Sequence, residues 1–185
     1  PFGLTYEQHH LHGSDVVQNL GFNGQGKHIA ILDAGFKKVD QTPALEHLFN
    51  EDRILSTYDF VRKESSVYED HYHGEAVLSI IAGYDPDYYV GSATKASFHL
   101  LISEDVFSES ITEEYYWVVA AEYADSAGVD IINTSLGYTT FDDSTTNHSY
   151  SDMDGHTTVA ARGLNFAASK GILCVTSAGN SGANS

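Results

Sequence analysis

His28-Ile29-Ala30-Ile31-Leu32-Asp33-Ala34-Gly35 is the stretch on which the fold turns. Its run of consecutive apolar residues shows no polar alternation, which is the pattern of a strand covered on both faces. A glycine-rich segment, Gly21-Phe22-Asn23-Gly24-Gln25-Gly26, leads into it, and a carboxylate followed by Gly35 leads out. Runs of the same kind recur downstream at residues 54–60, 97–103, 129–134 and 172–177. Helical patterns lie between them. Residues 74–82 place Ala76, Val77, Ile80 and Ile81 on one face and stop at Gly83. Residues 111–127 repeat Tyr115, Val118, Val119, Glu122 and Tyr123 at helical spacing, with Glu113 and Glu114 at the positive end. Residues 157–170 form a third helix, with Asp154 as the expected N-cap and Gly171 as the stop. Residues 138–153 are polar and aperiodic, and read as a long loop. This alternation predicts an α/β fold: three layers, with a mostly parallel sheet and helices on both faces. No linker or repeat divides the chain, so residues 1–185 read as one domain.

Composition narrows the function classes. The chain has 185 residues, 42% of them hydrophobic, and a formal net charge of −17. Such an acidic chain is a poor partner for nucleic acid, whose phosphates call for lysine and arginine, and for anionic membrane surfaces. No run approaches the roughly 20 apolar residues that span a bilayer. The single cysteine, Cys174, lies in an apolar run and reads as a small core residue. The glycines at 21–26 precede their strand, whereas a dinucleotide-binding loop follows one, so that function is discarded.

Three polar residues stand where an open α/β sheet gathers its chemistry, beyond the carboxyl ends of the strands. Asp33 leaves the first strand, His73 opens the helix after the second, and Asn180 leaves the last. A histidine is the natural general base for a hydroxyl nucleophile. A buried carboxylate fixes its tautomer and stabilises the imidazolium, and a side-chain amide can donate to a developing oxyanion. Alone, each has a plainer role: a turn, a helix start and a flexible loop. Their conjunction in this order is what is specific.

The segments Ile31-Leu32-Asp33-Ala34-Gly35, His73-Gly74-Glu75-Ala76-Val77 and Ser177-Ala178-Gly179-Asn180-Ser181-Gly182 together resemble the subtilisin-like serine proteases, peptidase family S8. The resemblance covers about residues 20–185. It implies a secreted endopeptidase that hydrolyses peptide bonds through an Asp-His-Ser triad, with Asp33 and His73 as two members and Asn180 in the oxyanion hole. It further implies that a peptide or protein substrate binds as an added strand along Ser135, Leu136 and Gly137, flanked by Ser177, Ala178 and Gly179. Asp70 sits where the family often carries an acidic residue near the base. Two positions depart from the family's spelling, Ala34 after the aspartate and Glu75 after His73-Gly74, and neither removes a catalytic atom.

The family's nucleophile, a serine opening a helix as Gly-Thr-Ser, is not found in these residues. Ser181 and Ser185 neighbour the oxyanion donor instead of opening a helix of their own. The chain is therefore expected to cover roughly the first two thirds of a catalytic domain. A second or missing C-terminal chain would supply the serine, and this chain alone would be inactive. The alternative is a non-catalytic peptide-binding module, or an inactive truncated fragment of the same fold. No metal is expected in catalysis, because His9, His10 and His12, like His71 and His73, lack supporting ligand spacing. Asp142, Asp143, Asp152 and Asp154 offer oxygens for a structural Ca²⁺, in competition with helix capping by Asp154.

Overall fold

In the computed structural model, which describes residues 2–180 and 182, two short helices lead the chain, α1 (Tyr6–His12) and α2 (Ser14–Asn19). There follow β1 (His28–Asp33), α3 (Glu46–Asn50), β2 (Ile54–Asp59) and α4 (His73–Ala82). A small hairpin of β3 (Tyr84–Asp85) and β4 (Tyr89–Val90) precedes β5 (Ser97–Ile102) and α5 (Thr112–Ser126). The chain then runs through β6 (Ile131–Thr134), α6 (Val159–Ser169) and β7 (Leu173–Thr176). Among the described residues, no helix is long and apolar enough to cross a membrane.

Five strands form one parallel sheet in the order β2-β5-β1-β6-β7. β1 occupies the centre, with Asp33 opposite Ile102 of β5 and Leu32 opposite Thr134 of β6. The unbroken apolar reading of β1 has a simple cause: both of its faces are covered. Ile29 and Ile31 enter one core with Phe98, Leu100, Ile102 and Leu78 of α4. Ala30 and Leu32 enter the other with Leu101, Ile132, Trp117 of α5 and Ala167 of α6. Helix α4 thus covers one face and α5 with α6 the other, which makes the three layers. Ile31, Leu32, Phe98 and Leu100 are fully buried, and each such side chain contributes about 1.5–3 kcal/mol by leaving water. Trp117 keeps its indole N–H satisfied by donating to Thr134 Oγ1 at 3.0 Å.

The expected strands and three expected helices are present; β1 keeps its expected ends, α4 begins one residue earlier at His73, and the others are shorter by one or two residues at one or both ends. The third helix is the instructive case. Its N-cap is Thr158, whose Oγ1 accepts from the Ala161 amide at 3.2 Å. Asp154 instead builds the turn before it, accepting from the amides of His156 and Thr157 at 2.7 Å each. A short acceptor followed by polar residues fits both roles, and only the chain path separates them. Residues 138–153 are more ordered than a plain loop, with single 3₁₀ turns at Ser144–Thr146 and Tyr150–Asp152. Helices α1 and α2, unassigned from sequence, meet at Gly13, whose φ of 71° closes one and opens the other.

One close approach joins the end of β1 to the start of α4. Gly35, just past β1, has φ +149°, and a Cβ there would lie 2.5 Å from the His71 nitrogen. Gly74, in the first turn of α4, donates its amide to the Gly35 carbonyl at 2.8 Å. A Cβ on Gly74 would stand 2.5 Å from that same carbonyl oxygen and 2.7 Å from the Phe36 ring. Backbone thus touches backbone where the end of β1 meets the start of α4, and no side chain fits between them. Gly74→Ala should lower unfolding stability by about 1–3 kcal/mol through overpacking, despite alanine's helix preference of about 1 kcal/mol. Urea denaturation monitored by far-UV circular dichroism measures this, and an unchanged or raised midpoint would contradict the packing argument.

Candidate active site

Asp33 ends β1 and has no exposed surface, while the His73 side chain, 41% exposed, opens α4. The His73 Nδ1–H donates to Asp33 Oδ1 at 2.7 Å across 40 residues of sequence. The same oxygen accepts the Ala34 amide at 2.7 Å, and Oδ2 has no hydrogen-bond partner among the described residues. Burial pushes the Asp33 carboxyl above its ordinary range. The His73 hydrogen bond, the Ala34 amide and the nearby His73 and His71 rings pull it back part of the way. The arrangement holds one ring nitrogen on a carboxylate while the side chain stays partly exposed. That is the geometry of a general base whose tautomer is set from behind.

The flanking residues sort themselves clearly. His71 accepts the His73 amide on its Nδ1 at 3.3 Å, and the two rings lie 6.4 Å apart, so His71 supports the helix start. Glu75 turns away from the base and accepts from Thr42 Oγ1 at 3.2 Å. Asp70, beside the base in sequence, is paired with Arg62 at 2.6 Å. The other histidine-rich segment is built into the N-terminal packing. His9 bonds the Val90 carbonyl at 2.7 Å and Ser14 Oγ at 2.8 Å, and His10 bonds Asp15 at 3.0 Å.

The remaining site residues share the carboxyl-end rim of the sheet, because β1, β6 and β7 are parallel neighbours. Ser135, Leu136 and Gly137 leave β6 without regular structure, and Ser177, Ala178 and Gly179 leave β7 in the same way. The two segments are tied together: Ser177 Oγ donates to the Leu136 carbonyl at 2.9 Å and its amide donates to Thr134 O at 3.0 Å. Asn180 follows them, exposed, and makes no hydrogen bond to Asp33 or His73 among the described residues. Ser181 and Ser185 lie outside the described residues.

Sequence reasoning missed the acidic side of this rim. Glu113 and Glu114 do occupy the first turn of α5, yet both are buried and bound to other segments. Glu113 accepts the amides of Asp105 at 2.9 Å and Ser110 at 3.2 Å. Glu114 bonds His148 and accepts the Ala160 amide at 2.7 Å, fastening α5 to the long loop and to α6. Glu104, directly beyond β5, is pushed up to about 8 by burial first, then by Glu113, Glu109 and Asp33. Tyr138, next to Gly137, is likewise pushed up by burial and by the charges of Glu104 and Glu113. The glutamates at 104, 109 and 113 were visible in the sequence as a spacing, but only the loop path brings them together. The carboxylates of Asp143, Asp152 and Asp154 accept main-chain hydrogen bonds within their own turns.

With this geometry in view, similarities to known proteins take on meaning. A 26% identity extends over 97% of this chain to the thermophilic serine proteinase of Bacillus sp. (strain AK1), and 27% over the whole chain to subtilisin DY of Bacillus licheniformis. The minor extracellular protease Vpr of Bacillus subtilis (strain 168) is 29% identical over 93% of the chain. The chain spans only 41%, 56% and 20% of the lengths of these three relatives respectively. In fold it is similar to the crystal structure of MycP1 with the N-terminal propeptide removed, with a TM-score of 0.63 at 23% identity, covering 91% of this chain and 48% of that one. The model of the subtilase family, Peptidase S8, matches residues 24–185, and the chain that joins a buried Asp33 to His73 is a member of that family.

Proposed function

We propose that this chain is the N-terminal part of the catalytic domain of a secreted subtilisin-type serine endopeptidase acting on peptide or protein substrates. The observation that carries the reading is the 2.7 Å bond from His73 Nδ1 to a fully buried Asp33. Asp33 holds the Nδ1–H tautomer, and His73 Nε2 takes the proton of a serine hydroxyl as that oxygen attacks the scissile carbonyl. The same imidazolium then returns the proton to the leaving amine. The Asn180 side-chain amide and a backbone N–H stabilise the tetrahedral oxyanion. The serine comes from a C-terminal segment or second chain, so the 185 residues alone are inactive.

Substrate main chain pairs along Ser135, Leu136 and Gly137, flanked by Ser177, Ala178 and Gly179. What supports this pairing is that both segments continue neighbouring parallel strands past the carboxyl edge of the sheet without regular structure of their own. Secretion is supported by a relative named as an extracellular protease.

In the full-length protein, His73→Ala should abolish labelling by a fluorophosphonate and lower peptide hydrolysis by about 10⁴-fold or more. Retained labelling would sink the assignment of His73. A wild-type protein that takes no label, with its C-terminal part present, would instead favour the non-catalytic peptide-binding module.

Asp33→Asn separates stability from activity. A carboxyl raised on folding costs stability once ionised, so its unfavourable contribution grows as pH rises from the ordinary aspartate range through the folded value, and persists above it. The amide isostere keeps acceptors for His73 and Ala34 without the buried charge. Thermal unfolding at pH 7 should therefore occur at an equal or higher temperature in Asp33→Asn, while hydrolysis falls about 10⁴-fold. A clear drop in melting temperature would show that the ionised pair stabilises the fold.

A further inference from the structure

His71 touches both sides of the catalytic pair. Its main chain packs on the segment that leaves Asp33: a Cβ on Gly35 would stand 2.5 Å from the His71 nitrogen and 2.8 Å from its carbonyl oxygen. The same stretch is stitched by three backbone bonds, from the amides of Phe36, Lys37 and Lys38 to the carbonyls of Val67, His71 and Tyr68, each at 3.0 Å. On its other side, the His71 ring accepts the His73 amide on Nδ1 at 3.3 Å.

The leading amides of a helix have no partner within it, so something outside must accept them. Serine, threonine, aspartate or asparagine usually does so at the N-cap. Here the N-cap is Tyr72, and its side chain gives no such bond. The His73 amide goes instead to the His71 ring, and the Gly74 amide to the Gly35 carbonyl at 2.8 Å. Both leading amides of α4 are thus held at the spot where His71 lies on Gly35. Helix α4 is fastened there by the residues that also fix the path out of Asp33.

A main-chain amide can only donate, so Nδ1 of His71 has to be the bare nitrogen, and the ring hydrogen sits on Nε2. His73 is the reverse, with its hydrogen on Nδ1 toward Asp33. We propose that His71 is a positioning residue for the base, its Nε2–H tautomer fixing the first amide of α4 and through it the reach of His73 to Asp33. Two histidines separated only by Tyr72 are held in opposite tautomers, and neither could play its part in the other form.

The consequence for chemistry rests on the peptidase reading; the anchoring itself does not. Removal of the His71 ring, or a proton on its Nδ1, frees the His73 amide and lets the first turn of α4 shift. Proton transfer through His73 Nε2 is sensitive to such shifts, because misplacement by about 1 Å can cost about 100-fold in rate. The proposed substrate strip at residues 135–137 lies on another segment, so the effect falls on turnover and spares binding.

Hydrolysis of casein by the full-length protein separates the two contributions. His71→Ala should lower kcat about tenfold with KM unchanged, the rate equivalent of one hydrogen bond. His71→Asn, whose side-chain oxygen can accept the same amide, should stay within about twofold of wild type. An unchanged kcat in His71→Ala, a loss confined to KM, or His71→Asn as impaired as His71→Ala would overturn the positioning role. Imidazole ¹⁵N shifts of the wild type at about pH 8, above the ordinary histidine range, read the anchor without any variant or turnover. They should show His71 with its hydrogen on Nε2 and a bare Nδ1; hydrogen on Nδ1 would overturn the anchor even if neither variant folds. A wild type that neither cleaves casein nor takes a fluorophosphonate would defeat the peptidase reading, and with it the effect on kcat. The His71 tautomer would then still decide the anchor.

Discussion

A carboxylate without exposed surface is the constraint on which this molecule is organised. Taking such a charge out of water costs several kcal/mol even after relaxation. Asp33 recovers part of that through one imidazole and one amide on the same oxygen, and leaves the other oxygen bare. The pair can form only because Gly35 and Gly74 let the end of β1 and the start of α4 approach backbone to backbone. The central strand, the helix beside it and the two glycines form one device for bringing aspartate to histidine. Residual strain on the buried carboxylate is the expected mark of a site kept for chemistry.

The rim around that pair is made of loops fastened by polar side chains. Ser177 ties the segment after β7 to the one after β6, and Ser103 ties the loop after β5 to β1 itself. Glu113 is buried where it accepts amides of the loop after β5, and Glu114 where it binds His148 and the Ala160 amide of α6, which is a costlier and more specific use than favouring a helix dipole. The carboxyl edge of the sheet is braced in this way around residues 135–137.

What could be read from sequence follows the physics. Strands buried on both faces announce themselves, since a continuous apolar run of strand length, such as residues 29–32, is stable only with cover on each side. Asp33 and His73 were legible because they stand at element ends, where a polar residue closes or opens an apolar run. The convergence of Glu104, Glu109, Glu113 and Tyr138 was not legible, because loops bring them together and loop paths carry no period. Asp154 shows the same limit on a smaller scale. Its spelling fits an N-cap, yet the chain uses it one turn earlier and gives the cap to Thr158. Helices α1 and α2 escaped because each is only about two turns long, too short to establish a pattern.

The central claim is that Asp33 holds His73 in one protonation form, so that Nε2 is free to accept a proton. Imidazole ¹⁵N chemical shifts of His73, recorded on ¹⁵N-histidine-labelled full-length protein above the histidine titration, read that form directly. The expected spectrum is that of a neutral ring with hydrogen on Nδ1 and a bare Nε2, lost on replacing Asp33 by alanine. A ring carrying its hydrogen on Nε2, or one averaging between tautomers as free imidazole does, would contradict it.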